Sequence, residues 1–387
     1  MMFRPYVFAF STFLLGLGCE ASASDWTKTK NDIITAIGIH QTNNLYHVAD
    51  ATESSQHLQL GLQYDWLGLY EGFGIALPAK ITSRHYREQT VLNDQDYVFS
   101  PALKLFLTEA ADVTFETQWQ RQQLLAGSGS AEFLDPAEQQ AARDDLKRFA
   151  LALQLGRQPD RQNLALRVGT ERHRLQTLIS SLPQLQHGLI NELDSDFLQL
   201  DYGHRISENT SVLANAHLRK EQQLQIESDL QQIGAGVMQQ WSGAQQLRVL
   251  AGYFQRDSQG LKNSGSFWQV ENLWQLSQAW QLVLSSHRLS VLSYATNSVS
   301  QLDTTHQIKL GYVWSEPHVL TLQAGQRNSR LDGDALHRKR FEYSLGWDWQ
   351  LHQYFASQLF VTRFEQQDNA GPERNRHEIF WQLNWLW

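Results

Sequence analysis

Apolar and polar side chains alternate with a period of two along almost the whole chain, from Asn31 to Trp387, and this pattern constrains the fold more than any other feature. Residues 58–66 read Leu-x-Leu-x-Leu-x-Tyr-x-Trp, and residues 308–314 read Ile-x-Leu-x-Tyr-x-Trp. A period of two indicates β-strands with one apolar and one polar face. The repeats are about ten residues long, which is the length of a tilted transmembrane strand.

The connections between these segments alternate in length. We count about 18 strands, with about 16 as the alternative, and bacterial outer-membrane barrels have even strand numbers. The short connections are 67–69, 109–111, 159–161, 207–209, 242–244, 277–278, 315–317 and 351–353. The longer ones lie near 42–54, 87–93, 126–144, 177–195, 222–228, 257–265, 292–302, 331–337 and 367–374. We therefore predict an all-β fold, a transmembrane antiparallel up-and-down β-barrel with short periplasmic turns, longer extracellular loops and both termini in the periplasm. A soluble β-sandwich has no reason for so regular an alternation.

Tryptophans collect at the ends of strands that run into short turns. Indole is flat and amphipathic, and it is stable at the headgroup level of a membrane. The alternative, that these are core aromatics of a soluble sheet, does not explain their preference for one end. We predict a membrane-interface belt of Trp66, Trp241, Trp274, Trp280, Trp314, Trp347, Trp349 and Trp385.

The composition excludes several other classes of protein. A mean hydropathy of −0.44 excludes a bundle of membrane helices, and no window offers about 20 consecutive apolar residues. A single cysteine excludes a disulfide framework and a Cys-based zinc site. The net charge of −8 argues against binding to nucleic acid. The 14 histidines include no His-Glu-x-x-His motif, so we predict no metal site, no cofactor and no catalytic residue.

The N-terminus has the order of a secretory signal. Arg4 precedes an apolar run over residues 7–18, and residues 21–23, Ala-Ser-Ala, form a small-x-small cleavage site. We predict cleavage after residue 23, a short periplasmic segment over 24–30 and the barrel over 31–387. A lipoprotein acylated on Cys19 is the alternative, although Gly16 stands where such a site needs a larger aliphatic residue.

The last strand, residues 379–387, reads Ile-x-Trp-x-Leu-x-Trp-x-Trp and resembles the ending of bacterial outer-membrane β-barrel proteins of the porin-like type. The resemblance covers essentially the whole mature chain and implies a location in the outer membrane of a Gram-negative bacterium. In that family an aromatic last residue, usually Phe, serves as a signal for the barrel assembly machinery. The resemblance implies this role for Trp387.

A narrower resemblance rests on residues 202–205, Tyr-Gly-His-Arg. They are similar to the Tyr-Gly-x-Arg elements of barrels that are encoded with exopolysaccharide export systems. This resemblance implies a role in the passage of a polysaccharide.

The polar positions of the strands are expected to face the lumen. A charged side chain at mid-depth on the lipid face costs about 2–4 kcal/mol, and an inward orientation removes that cost. Because both signs occur, we expect ion pairs between strands, with Arg327–Glu342 and Arg248–Glu271 as candidates. The predicted pore-lining residues are Glu116, Arg148, Arg167, Arg219, Arg248, Glu271, Lys309, Arg327, Glu342 and Glu378.

Two of the longer connections could control access to the lumen. Residues 135–138, Asp-Pro-Ala-Glu, have the pattern of a helix start and predict a short helix from about 136 to about 146. The region 178–190 is rich in Leu and Ile. It could pack against a neighbouring loop, fold inward as a constriction or contact a partner.

These observations together predict a pore rather than an enzyme. A barrel of about 16–18 strands is wide enough for an aqueous channel unless a loop fills it. Lumenal Gln and Asn both donate and accept hydrogen bonds, which suits sugar hydroxyls. We therefore expect passage of hydrophilic solutes, saccharides or exopolysaccharide above all. The alternatives are a plugged structural or adhesive barrel that binds a partner through its outer loops, and an outer-membrane hydrolase. The expected partners are outer-membrane lipids, the barrel assembly machinery, the solute or polysaccharide and a periplasmic export component.

Overall fold

Nineteen strands form one closed sheet in the described part of the computed structural model. The structure describes residues 26, 28–45, 53–125, 141–156, 162–178, 187–223, 226–241, 243–259, 261–292, 300–331, 337–369 and 373–387. The strands are β1 (Lys30–Thr42), β2 (Ser55–Tyr70), β3 (Phe73–Tyr86), β4 (Asp94–Phe99), β5 (Ala102–Thr108), β6 (Ala111–Leu125), β7 (Ala141–Leu155), β8 (Gln162–Leu178), β9 (His187–Arg205), β10 (Thr210–Gln223), β11 (Ile226–Trp241), β12 (Gln245–Ser258), β13 (Leu261–Gln275), β14 (Trp280–Leu292), β15 (Ser300–Ser315), β16 (His318–Leu331), β17 (His337–His352), β18 (Phe355–Asp368) and β19 (Arg374–Leu386).

Neighbours in sequence pair antiparallel, and β19 pairs with β1, which closes the barrel. Strands β4 and β5 both lie between β3 and β6 and together occupy one position in the wall. The break between them falls at Ser100-Pro101, where proline has no N–H to donate. The wall therefore has 18 strand positions, which confirms the predicted fold class and count. No helix in the described ranges is long and apolar enough to span a membrane.

The register gives the wall two chemically distinct faces, because residues opposite one another in a strand pair share a face. One face carries large apolar side chains that are exposed, such as Ile37, Leu60 and Leu322. The other face carries most of the Arg, Glu, Asp and Gln side chains of the strands. An apolar face of this extent is stable against hydrocarbon but not against water. We call these the outer face and the inner face.

Flat aromatic rings on the inner face lie over glycines of neighbouring strands. The clearest case is Phe267 on β13, which lies over Gly234 and Gly252. A Cβ on Gly252 would come within 2.5 Å of the Phe267 ring and within 2.0 Å of the Ile233 carbonyl oxygen. Phe267 and its neighbour Phe254 are almost fully buried. The glycines thus make room for apolar packing on the inner face at this part of the wall.

Several predicted connections lie elsewhere. Residues 67–69 belong to β2, and the turn that follows is 71–72. The loops predicted near 222–228 and 257–265 shrink to the connections 224–225 and 259–260, because the strands on both sides continue. Outer-face side chains there are polar although the strands remain paired, for example Lys220 opposite Asp229. Because both faces are polar at these strand ends, the apolar alternation stops there and the sequence predicts loops.

The helix predicted from about 136 to about 146 is wrong over residues 141–146, which begin β7. Ala141 and Ala142 pair with Leu125 and Leu124 of β6, and this pairing overrides the local helix-start pattern. Residues 136–140, and 179–186 of the Leu- and Ile-rich region, lie outside the described residues.

Candidate pore

The inner face contains all ten residues that were predicted to line a pore. Several of them lie opposite another charged side chain on the neighbouring strand. For example, Glu171 of β8 lies opposite Arg148, and Glu271 of β13 lies opposite Arg248. The ten residues lie on strands from β6 to β19: Glu116, Arg148, Arg167, Arg219, Arg248, Glu271, Lys309, Arg327, Glu342 and Glu378.

A continuous chain of ion pairs crosses the inner face from β7 to β12. The Arg148 Nε lies 3.2 Å from Glu171 Oε1, and the Arg219 Nη2 donates to Glu171 Oε2 at 2.6 Å. Arg219 Nε lies 3.1 Å from Glu221 Oε1, and Arg256 Nη1 contacts the other Glu221 oxygen. Three guanidinium groups thus surround two carboxylates, so most of the charge is compensated within the wall.

Serines on the two intervening strands complete this network. Ser195 on β9 accepts a hydrogen bond from Arg219 Nη2 at 2.9 Å, and Ser228 on β11 accepts one from Arg256 Nη1 at 3.1 Å. Arg256 and Glu221 are 2% and 3% exposed. Such deeply buried charges are stable only when each has its partner.

The predicted pairing partners are partly different in the structure. Arg327 Nη2 donates to Asp303 on β15 at 2.6 Å, whereas it was expected to pair with Glu342. Asp303 reaches Arg327 because β15 and β16 are adjacent. Arg248 and Glu271 are opposite one another as expected, but both are exposed, and the described residues show no ion pair between them.

The remaining predicted residues have distinct surroundings. Glu116 accepts a hydrogen bond from Arg167. Glu378 lies 2.9 Å from Arg376 Nε and 3.4 Å from His40 Nε2. Lys309 and Glu342 are half-buried on the inner face. That these ten residues line a conducting pathway stays a prediction.

Sequence reasoning missed several inner-face charges. Glu171, Glu221, Arg256 and Asp303 were not selected, although each lies an even number of positions from a residue that was. The same two-residue alternation would have found Glu221, which is two residues beyond Arg219. Their burial depends on neighbouring strands and has no signal in the sequence.

Two apolar clusters lie at the long-loop end of the barrel. One consists of Leu45, Tyr86, Leu92 and Ala141. The other consists of Leu124, Ala142, Leu175 and Leu193. All eight side chains are buried. The barrel is therefore closely packed at its long-loop end, beside β1–β3 and β6–β9.

At the short-turn end, Trp26 lies against the inner face. Its ring is 5.7 Å from the Lys104 ammonium group, and a Cβ on Gly74 would touch it. Lys104 also pairs with Asp112 at 3.0 Å. The Trp26 ring therefore lies against the inner face at the short-turn end of the barrel.

The eight predicted belt tryptophans lie on the outer face, at or near strand ends that run into short turns. His318 is stacked among Trp347 and Trp349, and Trp347 Nε1 donates to His318 Nδ1 at 3.2 Å. Trp385 stacks on Trp387 with ring centroids 4.3 Å apart. Their depth in a membrane stays a prediction.

No family model and no curated protein matches this chain. Among solved structures it is similar to the FrpB iron transporter from Neisseria meningitidis, with a TM-score of 0.53 and 10% identity over 88% of this chain and 63% of that one. It is also similar to the outer membrane protein OpdK from Pseudomonas aeruginosa (TM-score 0.52, 10% identity, 92% of this chain and 99% of that one). A third similar structure is the siderophore receptor PirA from Acinetobacter baumannii, with a TM-score of 0.50 and 7% identity over 93% of this chain and 81% of that one.

These structures confirm the fold of a Gram-negative outer-membrane β-barrel and, with it, the predicted location. The chain spans 63% of the length of FrpB. Sequence identities this low show similarity of fold and do not indicate a shared solute. The narrower resemblance to barrels encoded with exopolysaccharide export systems receives no support from them.

Proposed function

We propose that this barrel is an outer-membrane pore for hydrophilic solutes, and that saccharides are the class of solute that fits it best. The observation that carries the proposal is the closed 18-position wall with a charge-compensated polar face inside. Because guanidinium groups and carboxylates neutralise one another, the lumen favours neither sign of ion strongly. The fold neighbours, which include a protein named as an iron transporter, support transport in general. No catalytic residue is part of the proposal.

Amide side chains on the inner face support the choice of saccharides. Gln118 donates to Gln120 at 3.0 Å, and Gln120 donates to Gln122 at 3.0 Å, so a ladder of amides runs along β6. Each amide can donate and accept at once, as a sugar hydroxyl does. A solute hydroxyl can therefore replace one amide as the hydrogen-bond partner of the next, and no polar group is left without a hydrogen bond. Passage of a polysaccharide with a periplasmic export component is the finer form of the proposal, and it requires the apolar clusters at the long-loop end to separate.

Conductance in planar bilayers tests the proposal. We expect the purified full-length barrel to give stable open levels, and neutral oligosaccharides added to the chamber to block the current reversibly. Sugar-induced current noise at constant salt is the measurement, with an oligosaccharide too large to enter as the control. A folded barrel that stays silent would overturn the proposal.

The second candidate is a plugged structural or adhesive barrel. It is favoured by one observation, the buried clusters that contain Leu45, Leu92, Leu175 and Leu193 at the long-loop end. This candidate would be supported if the wild-type barrel gives no current and the double variant Tyr86→Ser with Leu92→Ser conducts. Conduction by the wild-type chain would exclude a permanent plug.

Arg248 provides a test of the pore-lining assignment. It is exposed on the inner face and makes no ion pair among the described residues, so Arg248→Ala removes one lumenal positive charge without breaking a contact. We expect the cation-to-anion permeability ratio to rise roughly twofold with unchanged stability. The reversal potential across a salt gradient is the measurement. Arg363→Ala, on the outer face, is the control, and an equal shift in both variants would contradict the assignment.

A further inference from the structure

The outer face of four adjacent strands, β14 to β17, carries basic side chains near the long-loop end but no carboxylate in the residues that the structure covers. We define the basic patch as Arg288, His306, Arg330 and Lys339. Elsewhere at this end, carboxylates accompany several of the outer-face cations: Arg172 pairs with Asp194 at 2.6 Å, Arg121 pairs with Asp145 at 2.7 Å, and Lys220 lies opposite Asp229. The basic patch therefore has an excess of positive charge among the described outer-face residues of these four strands.

The register places two cations of the basic patch, Arg288 and Lys339, in one row across the wall. Arg288 lies opposite Thr304, Thr304 opposite Asn328, and Asn328 opposite Lys339. Three strand spacings of roughly 4.8 Å put the Arg288 and Lys339 backbones about 14 Å apart. Thr304 and Asn328 supply hydrogen-bonding groups between them.

Aromatic rings hold both cations in place. The Arg288 guanidinium lies 5.3 Å from the Trp268 ring centroid, and the Lys339 ammonium lies 4.8 Å from that of Phe341. Trp268 Nε1 donates to Ser286 Oγ at 2.9 Å, and Ser286 Oγ lies 3.0 Å from His306 Nδ1. Contacts and hydrogen bonds thus link Arg288 to His306 through Trp268 and Ser286 on the outer face.

The basic patch lies where the apolar band of the outer face ends. On β14 the outer face is apolar at Trp280, Leu282 and Leu284 and becomes polar at Ser286 and Arg288. The same change occurs on β15 between Ile308 and His306, which is opposite Ser286. Cations at the end of an apolar band meet lipid headgroups, not acyl chains.

We propose that the basic patch binds the phosphorylated disaccharide headgroup of an outer-leaflet glycolipid of the lipid A class. Two separated cations in one row match two separated phosphates, and Thr304 and Asn328 face the sugar hydroxyls between them. Leu284 and Ile308 face the acyl chains below. Charge complementarity selects this occupant, because the carboxylates that a second copy of this chain presents in one outer-face row, Asp196 and Asp229, lie on either side of Lys220, which compensates part of their charge. The nearest outer-face carboxylate, Glu365 on β18, is already paired with Arg363 at 2.6 Å.

Native mass spectrometry of the detergent-purified full-length barrel tests this site. The probes are bisphosphorylated lipid A and the same lipid without its phosphates, each in a chelating buffer so that divalent ions cannot bridge to carboxylates. We expect the wild type to prefer the phosphorylated lipid. The double variant Arg288→Gln with Lys339→Gln is expected to bind it about tenfold more weakly and to lose the preference.

The matched control is Arg172→Gln with Arg174→Gln, which removes the same charge from paired outer-face positions on β8. We expect its binding to change less than about twofold. Equal binding of both lipids by the wild type, or an equal loss in the control, would overturn the proposal. So would self-association that disappears in the Arg288 and Lys339 variant. Heat-modifiable migration in gels shows that each variant is folded.

Discussion

Glu221→Ala is expected to lower the free energy of unfolding of the barrel by about 3–5 kcal/mol, because it leaves the buried Arg256 guanidinium without its carboxylate. Glu221 lies between Arg219 and Arg256, and Arg256 is only 2% exposed. The Arg256 side chain cannot reach water without a rearrangement of β10 to β12. Guanidinium-induced unfolding in detergent micelles, followed by tryptophan fluorescence, is the measurement.

Glu271→Ala is the matched control for this prediction. Glu271 is also a glutamate on the inner face, but it is exposed and makes no ion pair in the described part of the wall. We expect its substitution to change stability by no more than about 0.5 kcal/mol. Similar losses for both glutamates would mean that the network from Arg148 to Arg256 adds nothing beyond general lumenal polarity.

The strands and their faces follow from local sequence because each strand of a barrel has the same two environments. Alternation at 58–66 or 308–314 therefore predicts both the strand and the orientation of its side chains. The ten predicted residues share the register parity of the inner face for this reason, and their role in lining a pore stays a prediction. The outer-face tryptophans follow from the same parity.

Ion-pair partners could not be predicted in the same way, because they depend on the register between strands and on side-chain reach. Arg327 pairs with Asp303 on the preceding strand, and Arg256 on β12 reaches Glu221 on β10 past an intervening strand. Neither relation has a local signal. A register error of one residue would reverse the faces, but an error of two would only exchange the partners.

Local signals also failed where tertiary pairing opposed them. The helix-start pattern at 135–138 predicted a helix, yet residues 141–146 pair with β6. The ends of β10 to β13 were interpreted as loops because charged residues occupy both faces there. Strands that continue beyond the apolar band have no lipid-facing side chains, so the alternation that marks them disappears before the strand ends.

Trp387→Ala is expected to abolish most of the outer-membrane yield of this protein in cells while leaving the folded barrel almost as stable as the wild type. The Trp387 side chain is 62% exposed. Its Nε1 donates to Thr35 Oγ1 at 3.3 Å, and its ring stacks on Trp385. These contacts are worth about 0.5–1.5 kcal/mol, which is too little to prevent folding. A large loss of yield must then arise before folding is complete, at recognition of the last strand by the assembly machinery.

Trp314→Ala separates this role from that of a belt tryptophan. Trp314 is 67% exposed on the same face and at the same end of the barrel, but it lies within β15 and not at the C-terminus. Quantitative immunoblots of outer-membrane fractions give the yield, and unfolding of the refolded proteins in detergent gives the stability. We expect Trp314→Ala to keep its yield, and Trp387→Phe to restore that lost in Trp387→Ala. Because phenylalanine preserves the aromatic terminus but cannot donate to Thr35, rescue by it would assign the effect to recognition. Equal loss of yield in the Trp314 and Trp387 variants would instead assign it to the interface belt as a whole.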